Sequence, residues 1–311
     1  MISFTVNVKN EVASEKIDRE DALAFLSGFI RTNGKISDNS LAITTENSKV
    51  IKLLYVLLED IYNISLNITN KENNFNRNRL YIINIQDKLD FILKDLAIID
   101  NDNNYLDTVP NYLLDSEIEK KAYLKGVFLA CGSINDPKTS RYHLEFFVER
   151  KEEANFINNL LNSFFLNSKV ILKDKKYMIY IKEAEKIGDF LRIIEANQAV
   201  MYYEDIRIYR DHKNMTNRLN NMEQANIEKT INTCNNQIED INTIYREIGK
   251  DILDNKLQEA AIYRLKYPES SLQELSEIMT LEIGKPITKS GLNHRFRKLK
   301  EIANNLKGGK E

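Results

Sequence analysis

A thirteen-residue pattern occurs twice in this chain. Ala24-Phe-Leu-Ser-Gly-Phe-Ile-Arg-Thr-Asn-Gly-Lys-Ile36 lies over Ala122-Tyr-Leu-Lys-Gly-Val-Phe-Leu-Ala-Cys-Gly-Ser-Ile134 with the same internal spacing. Gly28 pairs with Gly126 and Gly34 with Gly132, each pair 98 residues apart. The segments downstream of the two copies are also alike. After the first come strand-like residues in 35–45, a strongly periodic helix over 48–62, strands over 65–69 and 79–85 around an Asn-rich turn, and a helix over 88–96. After the second come a strand over 142–148, a helix over 152–165, a strand starting at Tyr177 and a helix over 184–194. Two copies of α-β-β-α-β-β-α predict an α+β domain with an internal pseudo-two-fold. Gly28 and Gly126 fall in mid-helix, where glycine costs about 1 kcal/mol relative to alanine. That cost is tolerated where another backbone must come close, so the two helices are expected to cross at facing glycines.

The doubled region, with a short first helix over 4–13, fills residues 1–209, its halves about 1–110 and 111–209. Residues 199–209 read as a short continuation and then a strand or turn. From Arg210 there is no Pro or Gly for about forty residues, and an apolar stripe including Leu219, Met222, Ile238 and Ile241 predicts one long helix or two broken ones. Residues 210–250 are thus expected as a helical linker, and residues 251–311 as an all-α terminal domain. Within the linker, Arg210, Lys213 and Arg218 are candidates for secondary contacts to a nucleic-acid backbone, against the commoner reading of a solvated face.

Charge singles out the end of the chain. The net charge is −2 overall, but Lys285 to Glu311 carries +6 and leaves −8 for the rest. Leu292, Phe296, Leu299, Ile302, Ala303 and Leu306 give this segment one apolar helical face, with Thr288 or Ser290 available as its cap. Before it lies a shorter helix over 271–279, capped by Ser270 or Ser271, and a turn over 280–287 that is long for this motif. A short helix, a turn and a basic helix predict a helix-turn-helix spanning Ser271 to Lys307, the second helix entering the major groove. Lys289, Arg295, Lys298 and Lys300 are then expected at phosphates, and Ser290, Asn293, His294 or Arg297 at base edges.

Other chemistries find little support. No run of about 18 apolar residues exists to span a membrane, and the N-terminus lacks the basic start and apolar core of a signal peptide. Cys131 and Cys234, without a C-x-x-C, give neither a disulfide framework nor a zinc site, which fits a reducing cytoplasm. His143, His212 and His294 fall in separate elements without metal-ligand spacing, and neither a G-x-S-x-G nor a phosphate-binding glycine loop occurs. No cofactor and no metal are expected.

The two glycine helices, F-L-S-G-F-I-R-T-N-G and Y-L-K-G-V-F-L-A-C-G, resemble the paired LAGLIDADG helices of homing endonucleases. In that family an acid precedes the final glycine of each helix and holds divalent metal at the DNA. Here those positions are Asn33 and Cys131, neither of which supplies the negative charge a hard cation wants. Further segments widen the resemblance to nearly the whole chain. Val8-Lys-Asn-Glu-Val12, Gly132-Ser-Ile-Asn-Asp-Pro137, Tyr180-Ile-Lys-Glu-Ala-Glu-Lys-Ile-Gly-Asp-Phe-Leu191, Glu223-Gln-Ala-Asn226 and Ile287-Thr-Lys-Ser-Gly-Leu-Asn-His-Arg295 are similar to the WhiA family of bacterial DNA-binding proteins. Cys131 departs from the small residue expected there. The resemblance implies a degenerate LAGLIDADG-like domain joined to a helix-turn-helix domain like that of sigma factors. It implies a non-catalytic transcription regulator or nucleoid-associated factor in cell division and chromosome segregation, and in some relatives sporulation. The expected partners are double-stranded DNA and another regulatory protein, in the cytoplasm at the nucleoid. The alternatives are a protein-interaction platform anchored to DNA and a metal-dependent nuclease.

Overall fold

Each half of the repeat begins with a helix that has a charged start and is buried over most of its remaining length. In the first half, α2 (Arg19–Asn33) is followed by β1 (Lys35–Ser37), β2 (Ser40–Thr45), α3 (Ser48–Tyr62), β3 (Ile68–Glu72), β4 (Arg79–Ile85) and α4 (Leu89–Asp95). In the second, α5 (Glu117–Cys131) is followed by β5 (Gly132–Ile134), β6 (Leu144–Val148), α6 (Lys151–Ser163), β7 (Lys169–Lys173), β8 (Lys176–Ile181) and α7 (Ala184–Ile193). A short helix, α1 (Phe4–Val12), precedes both. The computed structural model describes residues 3–37, 39–72, 79–139, 141–249 and 252–308. It divides into two units, Met1–Asp211 and His212–Glu311.

The two sheets have one topology. Their strand orders are β1-β2-β4-β3 and β5-β6-β8-β7, antiparallel throughout. Alternation along the strands turns Leu41, Ile43, Ile83 and Ile85 of one sheet, and Leu144, Phe146, Ile179 and Ile181 of the other, into a single core. Pairing of β3 begins only at Ile68, opposite Ile83, later than the sequence pattern places it. The preceding Ile64 and Leu66 are buried without joining the ladder. The Asn-rich turn expected before β4 falls on 73–78, outside the described residues.

Between the sheets' helices the facing glycines do what their position predicts. A Cβ on Gly28 would land on the carbonyl of Tyr123, and one on Gly126 would land on the carbonyl of Phe25. Phe25 and Tyr123 are themselves 98 residues apart, so the contact is reciprocal. Away from this seam, Arg31 of α2 and Glu153 of α6 form an ion pair at 3.4 Å with side chains 1% and 3% exposed. Arg31 also donates to the carbonyls of Ala97, at 2.8 Å, and Leu106. Tyr105 donates its hydroxyl to the other oxygen of Glu153 at 3.2 Å. Helix α1 ties both halves: Thr5 exchanges hydrogen bonds with the backbone of Ile134, and Asn10 accepts from the Asn47 amide.

Residues 199–209 are not a strand or turn. They lie in α8 (Asn197–Glu247), one uninterrupted helix. Its first N–H groups find an acceptor outside the helix: the Glu11 carboxylate takes Gln198 N–H at 2.5 Å and Ala199 N–H at 3.0 Å. The far end of α8 is also more than a linker. Cys234, Ile241 and Ile244 are buried, the two isoleucines in the core of the second unit. That core is completed by α9 (Asn255–Lys266), α10 (Leu272–Ile283) and α11 (Lys289–Gly308).

Replacing Glu153 by Ala leaves the Arg31 guanidinium buried without its counter-charge, and is expected to destabilise the first unit by about 3–5 kcal/mol. Chemical denaturation of the two proteins checks this. A loss below about 1 kcal/mol would mean the pair is solvated in solution.

Candidate nucleic-acid interface

The geometry of α11 derives from which of its residues must be buried. Leu292, Phe296, Leu299 and Ala303 recur every three or four positions and pack against Leu275 and Met279 of α10 and Leu257, Ala260 and Ala261 of α9. This stripe fixes the helix's rotation, and Ser290, Asn293 and Arg297 (i, i+3, i+7) share the opposite face. Lys289, Ser290, His294, Arg297, Lys298 and Lys300 are exposed and Asn293 half-buried. No hydrogen bond or ion pair engages these seven side chains among the described residues.

Arg295 is different. It sits on the flank beside α9, where its guanidinium lies 3.4 Å from the Glu259 carboxylate and donates to the carbonyl of Lys256 at 3.3 Å. Grouping it with the phosphate-facing cations rested on charge alone; the structure separates it from them. Lys307 is likewise engaged, lying 3.4 Å from Glu239 and 3.6 Å from Asp240.

The connection into α11 is shorter than the sequence pattern indicates. Helix α10 runs on to Ile283, where Gly284 closes it at φ +73 with its N–H on the Thr280 carbonyl. Such a left-handed cap suits glycine. The Thr280 hydroxyl donates to Ser276 O at 2.7 Å and accepts from Ile287 N–H at 3.0 Å, pinning the turn from inside. Ser271, not Ser270, caps α10 in a reciprocal box with Glu274, and Thr288 accepts from Gly291 N–H at the start of α11.

Sequence and structure comparisons bear on this arrangement. Three family models match: the WhiA N-terminal LAGLIDADG-like domain over 19–99, the WhiA LAGLIDADG-like domain over 120–213, and the WhiA C-terminal HTH domain over 216–303. A "Probable cell division protein WhiA" of Lactobacillus gasseri is 42% identical, with 99% of each chain covered. One from Oceanobacillus iheyensis is 39% identical over 99% of each. The chain belongs to the WhiA family. Among solved structures, full-length DUF199/WhiA from Thermatoga maritima matches at a TM-score of 0.58 and 22% identity, covering 98% of this chain and 99% of that one. The same fold is shared, a LAGLIDADG-like α+β domain followed by a helix-turn-helix domain.

In this WhiA-family chain the two positions that would carry metal-binding acids are used internally. The Asn33 side-chain oxygen accepts from Thr44 N–H at 3.1 Å, joining the end of α2 to β2. Cys131 directs its thiol to the Val127 carbonyl at 3.4 Å, and burial pushes that thiol up to about 12. Lys9 reaches the same region from α1, donating to Leu129 O at 3.1 Å, and burial lowers its ammonium to about 8. Lys9 is a residue that sequence reasoning passed over, since nothing local in α1 marks it as buried. No group of three or more His, Cys, Asp or Glu that could hold a metal occurs among the described residues. No helix there is long and apolar enough to cross a membrane.

The secondary candidates also divide. Arg210 donates to the carbonyls of Pro137, at 2.7 Å, and Thr139, at 2.6 Å, and stacks 4.5 Å from the Tyr142 ring. Lys213 and Arg218 are exposed on α8.

Arg295→Ala removes a half-exposed pair and is expected to lower stability by no more than about 1 kcal/mol. The salt dependence of DNA binding should stay unchanged. A shallower salt slope would return Arg295 to the group of phosphate contacts.

Proposed function

We propose that this chain is a DNA-binding regulator without catalysis, acting in bacterial cell division as the names of its relatives indicate. The observation that carries the reading is the outward face of α11. Lys289, Ser290, Asn293, His294, Arg297, Lys298 and Lys300 converge there without intramolecular partners, on a helix fixed behind by its apolar stripe. Elsewhere in the same helix Arg295 and Lys307 do pair with acids, so the free cations are not simply those that lacked neighbours. Double-stranded DNA is the partner this chemistry fits. Phosphates would meet Lys289, Lys298 and Lys300, while Ser290, Asn293, His294 and Arg297 reach base edges in the major groove. Lys213 and Arg218 are proposed as secondary backbone contacts; Arg210 is assigned to holding the 137–139 segment. A place in the cytoplasm at the nucleoid is the one this partner implies.

Chromatin immunoprecipitation of the full chain beside a Ser290→Ala, Asn293→Ala, Arg297→Ala triple variant tests the reading. Discrete peaks sharing a motif, lost in the variant, support it. Peaks that persist unchanged overturn it. Point substitutions are preferable to removing 251–311, because truncation would uncover Ile241 and Ile244 of α8.

In vitro, Arg297→Ala is expected to lose roughly 1–3 kcal/mol and relax specificity, whereas Lys300→Ala weakens all sequences alike and reduces the salt slope by about 1. Equal discrimination of target from random DNA by the Arg297 variant would remove it from base readout. The absence of catalysis rests on Asn33 and Cys131 being neutral and internally bonded. Supercoiled plasmid incubated with magnesium should remain intact; cleavage abolished by a chelator would restore the nuclease alternative.

A further inference from the structure

Arg264 of α9 is the largest fully buried side chain among the described residues, with no exposed surface. Its Nε donates to Gln237 Oε1 at 3.0 Å, and its Nη1 donates to Ser270 O at 2.6 Å and Tyr267 O at 3.3 Å. Its Nη2 has no hydrogen-bond partner. No carboxylate pairs with it among the described residues. A guanidinium taken out of water ordinarily keeps a counter-charge, since its desolvation is otherwise uncompensated. Here the counter-charge is missing.

Arg264 forms part of the wall of an open cavity of about 300 Å³. Lys229 and Thr233 of α8, Lys289 of α11, and Ser271 and Gln273 at the start of α10 line the rest. At the start of α10 the capping box takes the N–H groups of Ser271 and Glu274, which leaves those of Leu272 and Gln273 and the positive end of the helix dipole toward the cavity that both residues line. No acid lines the cavity. Two carboxylates of α10 are engaged elsewhere: Glu274 accepts from Ser271 N–H at 2.8 Å, and Glu277 accepts from the Gln273 amide at 2.7 Å. The adjoining groove holds the acids instead, Glu223, Glu269 and Glu274.

We propose that this cavity is a phosphate-binding site, with Arg264 as its buried anchor and Lys229, Lys289 and the α10 N-terminus closing on the same oxyanion. The phosphate is either one of a DNA backbone or one carried by a free phosphorylated ligand. The inference rests on the cavity and shares Lys289 with the proposed DNA face of α11.

The test is calorimetric titration of the full chain with inorganic phosphate at constant ionic strength, repeated on Lys229→Glu and Arg264→Gln. Lys229→Glu changes one exposed helical residue and keeps the test open should the Arg264 variant fail to fold. Binding at one site is expected, weakened about tenfold or more by Lys229→Glu. A duplex-DNA competition at the same ionic strength then separates the sources. Phosphate that displaces DNA from the native chain, but not from Lys229→Glu, identifies a backbone phosphate. Phosphate that binds and leaves DNA in place identifies a free ligand. No saturable binding, or binding equally strong in Lys229→Glu, would overturn the proposal and leave Arg264 the role of tying down the 267–270 loop.

Discussion

The first unit depends on two backbones touching. Gly28 lies against the Tyr123 carbonyl and Gly126 against the Phe25 carbonyl, so any side chain at either glycine would drive α2 and α5 apart. Each glycine weakens its own helix by about 1 kcal/mol, and that cost is offset only if both helices approach together. The requirement couples the halves, since α2 and α5 belong to the one core into which both sheets turn their inner faces. The Arg31–Glu153 pair, joined by Tyr105 and two carbonyls, is a buried charge pair whose desolvation is offset by these further hydrogen bonds.

The second unit solves a different problem, how to hold a basic helix by one side. The burial of Leu292, Phe296, Leu299 and Ala303 leaves α11 a single rotation, and Thr280 and Gly284 fix where it starts. Outward cations then need no intramolecular support, and they have none. Arg295 and Lys307, at the edges of the buried stripe, are engaged by α9 and α8 instead. Position relative to the stripe, rather than charge, separates a lysine or arginine that holds the fold from one that is free for a ligand.

Much of this was legible in the sequence because the relevant signals are local or periodic. The doubled glycine spacing predicted the paired helices and the identical sheets, and the 3.6-residue stripe predicted the rotation of α11. What escaped depends on partners far along the chain. Residues 199–209 look irregular, yet they begin a long helix because Glu11 caps it from 187 and 188 residues away. The linker expected over 210–250 ends in core because α9 and α10 supply a face for Ile241 and Ile244. Arg295 and Arg210 read as solvent-facing cations until Glu259 and the 137–139 carbonyls are in place. Arg264, on the exposed-looking pattern of α9, gives no sign that it is buried. Most of these contacts join residues far apart in the chain, as Glu11 with Gln198, Arg295 with Glu259 and Arg210 with Pro137 do, and periodicity does not report them.

Charge distribution adds a constraint of its own. Residues 1–284 carry −8 and the segment from Lys285 carries +6, so a polyanion is repelled by most of the chain and attracted by its end. At physiological salt such a field is felt over about 8 Å, so each segment's charge acts mainly on what comes close to it. The same segregation recurs on a smaller scale in the second unit, where the Glu223, Glu269 and Glu274 groove adjoins a cavity that no acid lines. Of these acids, Glu274 is held in place by the capping box with Ser271. The box satisfies the N–H groups of Ser271 and Glu274 at the start of α10, where the helix dipole also favours a carboxylate.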